Sequence, residues 1–383
     1  MSSAGSTRMR TLVPVLGVLG GLLLIGAPDA RAQGCVAARL DAPSGTVNTK
    51  GESYFLAAGR WQASFGYQYF HSHRHFVGAV EQDGSPGTRD RRTTPVENWI
   101  NIPELTLQYG LSDRLSIAAD VPILVARRQI PGTVFKEFRG IDGAPDQVTH
   151  ARGIGDINLI GRYWVGRPDP RGRQNLSIGL GIKLPTGKDN VQDSVSTIAA
   201  TGAPPQTAVK SVDQSIQPGD GGLGLIGEVQ AFKAVGRVSL FATASYLSNP
   251  RGTNGVPTGR GRETEAVMSV AEQYGARVGA GIALPFHPAL AVSLAARLEG
   301  VPVHDLFGSS EGFRRPGYSV GIEPGLSYSW SHTAISLSVP WLVRRVRPQS
   351  VPDLEDSDAT GRLVEGDAAF ADYLILLGVS RRF

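Results

Sequence analysis

Hydrophobic and polar residues alternate with a period of two along two arms of the segment from Ala151 to Gly187. The first arm runs from Ile157 to Val165 and the second from Leu176 to Leu184, with the polar stretch RPDPRGR between them. A period of two is typical of β-strands that have one apolar and one polar face. The segment therefore predicts a β-hairpin.

The opposite register of the same arms carries polar or small residues, among them Asp156, Asn158, Arg162 and Lys183. Each arm is long enough to cross a bilayer, because a tilted transmembrane strand needs about 9–11 residues. The hairpin thus predicts a wall with one lipid-facing face and one polar face.

The same alternation recurs along the chain and predicts twelve strands. Bacterial outer-membrane barrels have an even number of strands, short periplasmic turns and longer extracellular loops. The turns of this chain alternate in that way with polar loops, and we predict an all-β fold, a transmembrane antiparallel up-and-down β-barrel over residues 60–383. The predicted spans are residues 61–70, 102–109, 115–125, 157–165, 176–184, 223–231, 238–246, 274–284, 290–298, 318–330, 335–343 and 373–383, and the main loops are residues 71–96, 128–150, 188–218, 248–271 and 345–370.

Charged residues fall on only one face of these spans. The outward register contains no Asp, Glu, Lys or Arg, and it places Tyr or Trp at many span ends, where an aromatic girdle belongs. A lipid-facing Arg or Lys costs about 2–4 kcal/mol at mid-membrane, so this partition is what a membrane barrel requires. The inward register predicts the residues of a solute path through the lumen, which are Glu104, Asp120, Arg162, Glu228, Arg277, Arg297 and Glu323.

The N-terminus has the features of a secretory signal peptide. Arg8 and Arg10 precede an apolar run over residues 12–27, and Ala30, Arg31 and Ala32 offer an A-x-A cleavage site. We predict cleavage near Ala32, which removes residues 1–32 and leaves a periplasmic lead-in over residues 33–59. A lipid anchor at Cys35 is the alternative to ordinary cleavage.

Composition narrows the possible partners. The chain has 38 Lys and Arg against 34 Asp and Glu, and removal of the signal peptide brings it close to neutral, so no nucleic-acid partner is predicted. The segments GIGD and GDGG resemble phosphate-binding loops in composition only, since neither opens a helix. We predict no cofactor, and we assign these glycines to bulges or to close approach of strands.

Counting along the hairpins predicts two pairs of like charges in the lumen. From the turn near Ser112, Glu104 is expected to face Asp120 across two strands. Like charges directly opposed are destabilising, so a neighbouring group must offset them. We expect Arg162, on the next strand, to offset the two acids.

The second pair is expected from the turn at His287, which places Arg277 opposite Arg297, with Glu323 on the next strand as the offsetting group. Six of twelve strands separate the two pairs, which puts them on opposite walls. We therefore predict a transverse field that orients dipolar solutes and hinders wholly apolar ones. The alternative is that these charges pair across a narrow barrel and only fill it.

Two further groups of side chains stand near the predicted extracellular ends of strands. Asp156 and Lys183 are expected to face each other as a rim ion pair, with about 0–1 kcal/mol of register support. His71, His73 and His75 alternate just above the first strand, and imidazole suits zinc, copper and nickel. They are a weak candidate metal site, because no accompanying carboxylates or cysteines are evident, and the alternative is a solvated loop end.

Three stretches of the sequence resemble a known family. They are QYGLSDRLSIAADVPIL at residues 108–124, GIGDINLIGRYWV at 153–165 and GIKLPTGK at 181–188, and they resemble the outer-membrane transporter family named for the meta-pathway of phenol degradation. The resemblance implies a barrel channel that passes aromatic or other poorly soluble compounds. The terminal Phe383 resembles the C-terminal signal read by the barrel assembly machinery, from which Arg381 departs.

The sequence thus predicts a porin-like channel of a Gram-negative outer membrane, monomeric or weakly oligomeric, for passive passage of a small-molecule solute. A closed structural barrel that displays binding loops is one alternative. An outer-membrane hydrolase is another, and it needs a nucleophile, a base and an orienting group that converge. No enzyme is predicted, because the histidines outside the cluster lie in predicted loops or turns without a recognisable nucleophile motif; they are His150, His287, His304 and His332.

Overall fold

A computed structural model describes residues 55–85, 95–167 and 173–383. The predicted signal peptide, Cys35 and the lead-in as far as residue 54 lie outside the described residues. The strands of the described part are β1 (Trp61–Val77), β2 (Val80–Glu81), β3 (Glu97–Gly110), β4 (Leu115–Ile130), β5 (Gln147–Ile154), β6 (Ile157–Trp164), β7 (Gln174–Leu184), β8 (Gln192–Thr197), β9 (Gln206–Ser211), β10 (Gly224–Val235), β11 (Val238–Ser248), β12 (Thr253–Pro257), β13 (Val267–Ser269), β14 (Gln273–Leu284), β15 (His287–Val301), β16 (Gly317–Trp330), β17 (Thr333–Ser338), β18 (Trp341–Val346) and β19 (Ala368–Arg382).

These strands close into a barrel with twelve antiparallel crossings, which confirms the predicted fold. Neighbours in sequence pair around the wall, and β19 returns to pair with β1 from Gln62 opposite Arg382 to Phe76 opposite Ala368. Two crossings consist of two pieces each, since β5 and β6 both pair with β4, and β17 and β18 both pair with β16. Pairing of the last strand with the first removes the sheet edges that an open sheet would expose.

The two faces of the wall differ in exposure as the alternation predicts. Leu180 on β7 and Leu294 on β15 belong to the outward register and have exposed fractions of 73% and 58%. Glu228 and Glu323 belong to the inward register and are buried. Of the helices in the described parts of the chain, none is long and apolar enough to cross a membrane.

Several strands are longer than the sequence predicts. β1 continues to Val77 and β3 begins at Glu97, so the predicted loop over residues 71–96 is shorter than expected. β4 likewise continues to Ile130, and β5 begins at Gln147. These extensions carry polar residues on both faces, as in HSHR from residue 71, and a period of two in hydrophobicity cannot reveal such strands.

The long connections leave one rim of the barrel, and several of them fold. Helix α1 (Gly132–Arg139) lies in the connection after β4, β8 and β9 form a hairpin, and helix α2 (Val351–Thr360) precedes β19. α2 begins with a capping box, in which the hydroxyl of Ser350 accepts from the N–H of Asp353 and the Asp353 carboxylate accepts from the N–H of Ser350. After β9 the chain turns into the barrel, and residues 212–222 are called the inserted segment below.

Candidate functional site

The inserted segment packs against one side of the lumen wall through an apolar cluster, called the collar below. Val212 and Ile216 are almost fully buried, and a short 3-10 helix over Gln214–Ile216 presents them to the wall. Around them pack inward-facing apolar side chains of β1, β3, β4, β5, β18 and β19. The collar consists of Phe70, Ile100, Leu124, Ala126, Ala151, Val212, Ile216, Leu342, Ala371 and Leu374.

Ion pairs and side-chain hydrogen bonds hold the inserted segment above the collar. Both carboxylate oxygens of Asp213 accept from Arg315, at 2.8 Å each, and Arg128 of β4 lies 3.6 Å from the same carboxylate. The amide of Gln214 donates to the backbone carbonyl of Ser269 at 2.5 Å. Charge-assisted pairs with two parallel hydrogen bonds are directional, so they fix the segment in one position.

The predicted rim ion pair holds the other end of the inserted segment. Lys183 contacts Asp156 with an N···O distance of 3.6 Å, and it also binds Asp220 of the inserted segment. The predicted ion pair is present, but both side chains are buried rather than at an exposed rim. The expected direct opposition is wrong, because Lys183 faces Asn158 while the residues between β5 and β6 displace Asp156.

Asp156 contacts the inserted segment through hydrogen bonds as well. Its carboxylate accepts from the N–H of Gly187 at 2.9 Å and from the N–H of Asp220 at 3.1 Å. A Cβ on Gly219 would lie 2.4 Å from the carbonyl oxygen of Gly187, so only glycine allows this approach. The glycines of GDGG were predicted to mark bulges or close approach of strands; at Gly219 the close approach is between two connections, not between strands.

Below the collar lies a cavity of about 280 Å³. Leu124, Pro218 and Leu376 contribute to its lining next to the inserted segment, and Gln62, Gln108 and Ser380 contribute near the opposite ends of their strands. Six of the seven predicted solute-path residues line this one cavity, and the seventh, Glu228, contacts one of them. The six are Glu104, Asp120, Arg162, Arg277, Arg297 and Glu323.

The acidic side of the cavity differs from the prediction in register. Glu104 lies opposite Pro122, and Asp120 lies opposite Thr106, whose hydroxyl donates to it at 2.7 Å. The predicted direct opposition of the two acids is wrong, because the turn after Gly110 holds four residues and shifts the pairing by two. A shift of two keeps each side chain on its face, so both acids still point into the lumen.

Arg162 lies on the acidic side but makes its hydrogen bonds to Glu228. The guanidinium Nε and Nη2 donate to the two carboxylate oxygens at 2.8 and 3.3 Å. The pair crosses β7 at Gly179, where a Cβ would lie 2.9 Å from the carboxylate. Arg162 therefore shares the cavity with Glu104 and Asp120, as expected, but its bidentate partner is an acid that the sequence did not pair with it.

The arginine side agrees with the prediction. Arg277 and Arg297 lie directly opposite each other on β14 and β15. Glu323 joins both, with N···O distances of 2.8 Å to Arg277 and 3.6 Å to Arg297, and Glu299 adds a contact of 2.9 Å to Arg297. The ring of Phe241 lies 4.8 Å from the guanidinium of Arg277. The expectation that Glu323 offsets the two arginines is confirmed.

These contacts change the predicted charge difference between the walls. On the arginine side two glutamates match two arginines, so formal charges cancel. On the acidic side, three carboxylates of the described residues, those of Glu104, Asp120 and Glu228, lie near one guanidinium, that of Arg162. Counted over the part of the chain that the structure describes, the cavity has an acidic wall opposite a neutral one, rather than walls of opposite sign.

The three histidines of β1 do not converge on one point. The ring of His71 stacks between those of His73 and Trp99, at centroid distances of 4.5 and 4.8 Å. Each histidine contacts a different carboxylate. The pairs are His71 with Glu97 at 2.6 Å, His73 with Asp372 at 3.6 Å and His75 with Asp367 at 2.5 Å. Within the described ranges no group of three or more His, Cys, Asp or Glu side chains is placed to hold a metal ion.

Sequence reasoning missed the inserted segment. The sequence does contain a signal for this segment. Val212 and Ile216 are apolar residues four apart in an otherwise polar loop, and GDGG follows them. A solvated polar loop gains no stability from such a pair of apolar side chains. A segment inside the barrel does, because it can bury them against the wall.

Comparisons with known proteins bear on the fold. An outer-membrane channel from Pseudomonas putida F1 is similar with a TM-score of 0.52 and 10% sequence identity, over 88% of this chain and 100% of that chain. The P. putida toluene transporter TodX has a TM-score of 0.41 and 8% identity, over 85% and 90% of the two chains. The translocator domain of the autotransporter NalP from Neisseria meningitidis has a TM-score of 0.41 and 11% identity, over 86% and 90%.

The first of these likenesses shows the fold, that of an outer-membrane β-barrel, and the other two are too distant to add to it. No family model matches the chain, and no curated protein sequence matches it. The resemblance to the phenol meta-pathway family therefore stays a prediction.

Proposed function

We propose that this protein is an outer-membrane channel for passive passage of small molecules, closed in the present conformation by its own inserted segment. The observation that carries the proposal is the apolar collar, in which Ile216 occupies the lumen directly above a charged cavity. The outer-membrane channel of similar fold supports it. In this proposal the barrel is a channel and not an enzyme.

The finer proposal concerns the solute. A molecule that passes this lumen meets an apolar collar first and a cavity lined by charged and hydroxyl groups next. A compound with an apolar body and one polar or cationic group fits both surroundings, because the cavity has an acidic wall. At about 280 Å³ the cavity is at the small end of ligand sites, which span about 300–1,000 Å³. Aromatic and other poorly soluble small compounds that carry one polar or cationic group meet these conditions.

The route to the membrane is also a proposal. We propose secretion with cleavage near Ala32, a barrel domain over residues 60–383 within outer-membrane lipid, and assembly through the last strand. The N–H of Phe383 donates to the carbonyl of Trp61 at 2.9 Å, so the C-terminal residue lies at the seam between β19 and β1. A C-terminal recognition signal would therefore be placed at the strand pair that closes the barrel.

Planar-bilayer recordings of purified protein test the channel. We compare the wild type with Ile216→Ser, which weakens the collar, and with Val209→Ser as the matched control, since Val209 is an exposed residue of the same connection. We expect rare openings in the wild type and the control, and a much higher open fraction in Ile216→Ser. Reversal potentials in a salt gradient should show cation preference from the acidic wall.

The same recordings distinguish the alternative of a closed structural barrel. If the folded protein stays silent and Ile216→Ser is equally silent, the lumen is not a path and the display role becomes the better account. If the barrel conducts but Glu104→Gln with Asp120→Asn leaves the reversal potential unchanged, the channel stands and the role of the acidic wall is wrong.

A further inference from the structure

Two large apolar side chains, Leu306 and Phe307, are exposed at the tip of the connection between β15 and β16. Their exposed fractions are 66% and 63%. Adjacent apolar side chains with this exposure mark a contact surface when the backbone that carries them is fixed. The position of the tip determines which surface these two side chains contact.

The tip is fixed by the carboxylate of Glu272, which precedes β14. The N–H groups of Leu306 and Phe307 donate to its two oxygens, at 2.5 and 3.3 Å. The N–H of Glu272 donates in turn to Asp305 at 3.2 Å, and Arg314 binds both oxygens of Asp305 at 2.7 Å. Hydrogen bonds to a charged acceptor are about twice as strong as neutral ones, so the tip has a defined position.

That position is on the outer face of the wall. Tyr246 and Tyr274 face each other across β11 and β14 in the outward register. Ser248 and Glu272 each lie two residues nearer the extracellular rim, and residues two apart on extended chain share a face. The hydroxyls of Tyr246 and Ser248 both donate to Glu272, the latter at 2.6 Å, which confirms that all these groups are on one face. Glu272 is nonetheless 0% exposed, because the tip lies over it.

The height of the tip follows from the length of β11. The stretch from Val238 through Tyr246 holds nine residues, and a tilted strand needs about 9–11 to cross the apolar layer. Tyr246 is therefore at the extracellular edge of that layer, and Leu306 and Phe307 lie immediately beyond it. This is the depth at which membrane proteins place amphipathic and aromatic anchors.

We propose that Leu306 and Phe307 form a membrane anchor that inserts into the interfacial region of the outer leaflet. The partner is a lipid surface, because the anchor lies on the same outward face of the wall as the exposed Val278 and Leu294 of β14 and β15. The anchor fixes the height of the barrel in the bilayer on the β11 and β14 side. The proposal rests on the barrel crossing a membrane, as proposed above.

Spin-label accessibility tests the anchor. Cys35, the only cysteine, is replaced by serine, and a nitroxide is attached to Phe307→Cys in vesicles of phosphatidylethanolamine and phosphatidylglycerol. Collisions with oxygen, which partitions into lipid, are compared with collisions with a water-soluble nickel chelate. Matched labels at Leu294→Cys on the outer wall and Phe138→Cys on helix α1 give the lipid and water references, since both native side chains are 58% exposed.

We expect the ratio of oxygen to nickel collisions at Phe307 to be several-fold above that at Phe138 and close to that at Leu294. A ratio at Phe307 equal to that at Phe138 would overturn the anchor while the Leu294 label still shows the barrel in the bilayer. Low access to both reagents at Phe307 would also overturn it, since protein and not lipid would then cover the site. A water-like Leu294 label would instead show that the barrel itself is not inserted.

A change at Glu272 gives a second measurement. Glu272→Ala removes both acceptors of the tip, so the Phe307 label should become more mobile and more accessible to nickel, while the Leu294 label is unchanged. Glu272→Gln keeps one carbonyl oxygen and should restore part of the immobilisation. If neither variant alters the Phe307 label, Glu272 does not position the anchor and the argument for its depth is wrong.

Discussion

Arg277 lies directly opposite Arg297 in the barrel wall, and the carboxylate of Glu323 is within ion-pair distance of both guanidinium groups. All three side chains are buried. Two like charges across a strand pair repel each other, and the acid that joins them converts this repulsion into a network. Glu323 is thus the described carboxylate that contacts both arginines, while Glu299 contacts Arg297 alone.

We expect Glu323→Gln to destabilise the barrel by about 3–5 kcal/mol, because removal of one member of a buried ion network leaves the remaining charges uncompensated. The measurement is unfolding in urea, followed by the shift in mobility between folded and unfolded barrel on electrophoresis. The double variant Glu323→Gln with Arg277→Met removes the repulsion and should recover most of the loss. A single variant as stable as the wild type would show that Glu299 alone compensates both arginines.

Lys183→Met should release the inserted segment. Without the ammonium, the carboxylates of Asp156 and Asp220 lie near each other in a buried site, and repulsion between them favours outward movement of the segment. We expect a raised open fraction in bilayer recordings. Lys188→Met is the matched control, since Lys188 is an exposed lysine on the same connection. Equal open fractions in the two variants would contradict the role of Lys183.

Gly219→Ala tests the close contact at the base of the inserted segment. The added methyl group would meet the carbonyl of Gly187 at 2.4 Å, and neither backbone can yield without moving the segment. We expect more frequent openings than in the wild type. Gly227→Ala is the control, because a Cβ there meets nothing within 4 Å and β10 keeps its position. Indistinguishable recordings from both variants would mean that the contact at Gly219 does not hold the segment.

Helix α2 should lose stability in acid through Asp353. Burial alone would raise the pKa of this carboxyl, but Arg347 and the N–H of Ser350 outweigh it and lower the pKa from 3.8 to about 2. Because its pKa is lower in the folded state, the ionised Asp353 stabilises the folded helix at pH values above the ordinary pKa of 3.8. This contribution, on the order of 2 kcal/mol, is lost as the pH falls through about 2.

Hydrogen exchange of Val351–Thr360 checks the prediction for α2. Asp353→Asn should exchange faster than the wild type at neutral pH, and the difference should shrink as pH approaches 2. Asp358→Asn, a change at an exposed position of the same helix, should match the wild type throughout. A wild-type helix whose protection stays constant down to pH 2 would show that Asp353 does not stabilise it.

The wall of the barrel could be predicted from sequence because its chemistry repeats every two residues. Arg277 and Arg297 were correctly opposed because the prediction centred the turn on His287, and a register shift between Ala283 and Leu284 gives the strands that same pairing. Glu104 and Asp120 were placed on the correct face but in the wrong register, because hydrophobicity does not reveal whether a turn is centred on Ser112 or one residue later.

The inserted segment could not be predicted in the same way. Its position depends on contacts between residues far apart in the chain, such as Asp213 with Arg315, and these follow no period. Lys183 illustrates the limit, since the sequence paired it with Asp156 but gave no indication that Asp220 would join them. Local patterns therefore specified the wall, whereas the plugged interior required the folded structure.

The inserted segment is attached to the barrel at both ends. It is joined to β7 through the β8–β9 hairpin and to β10 directly, so it is a tethered group inside the barrel. A tethered group stays at an effective concentration in the millimolar range or above, set by linker length and independent of protein concentration. Closure is then a first-order event, and a free peptide with the sequence of residues 212–222 would compete only at millimolar levels. Opening of the lumen therefore requires only displacement of the inserted segment. Reclosure needs no bimolecular encounter, because the segment stays attached to the barrel.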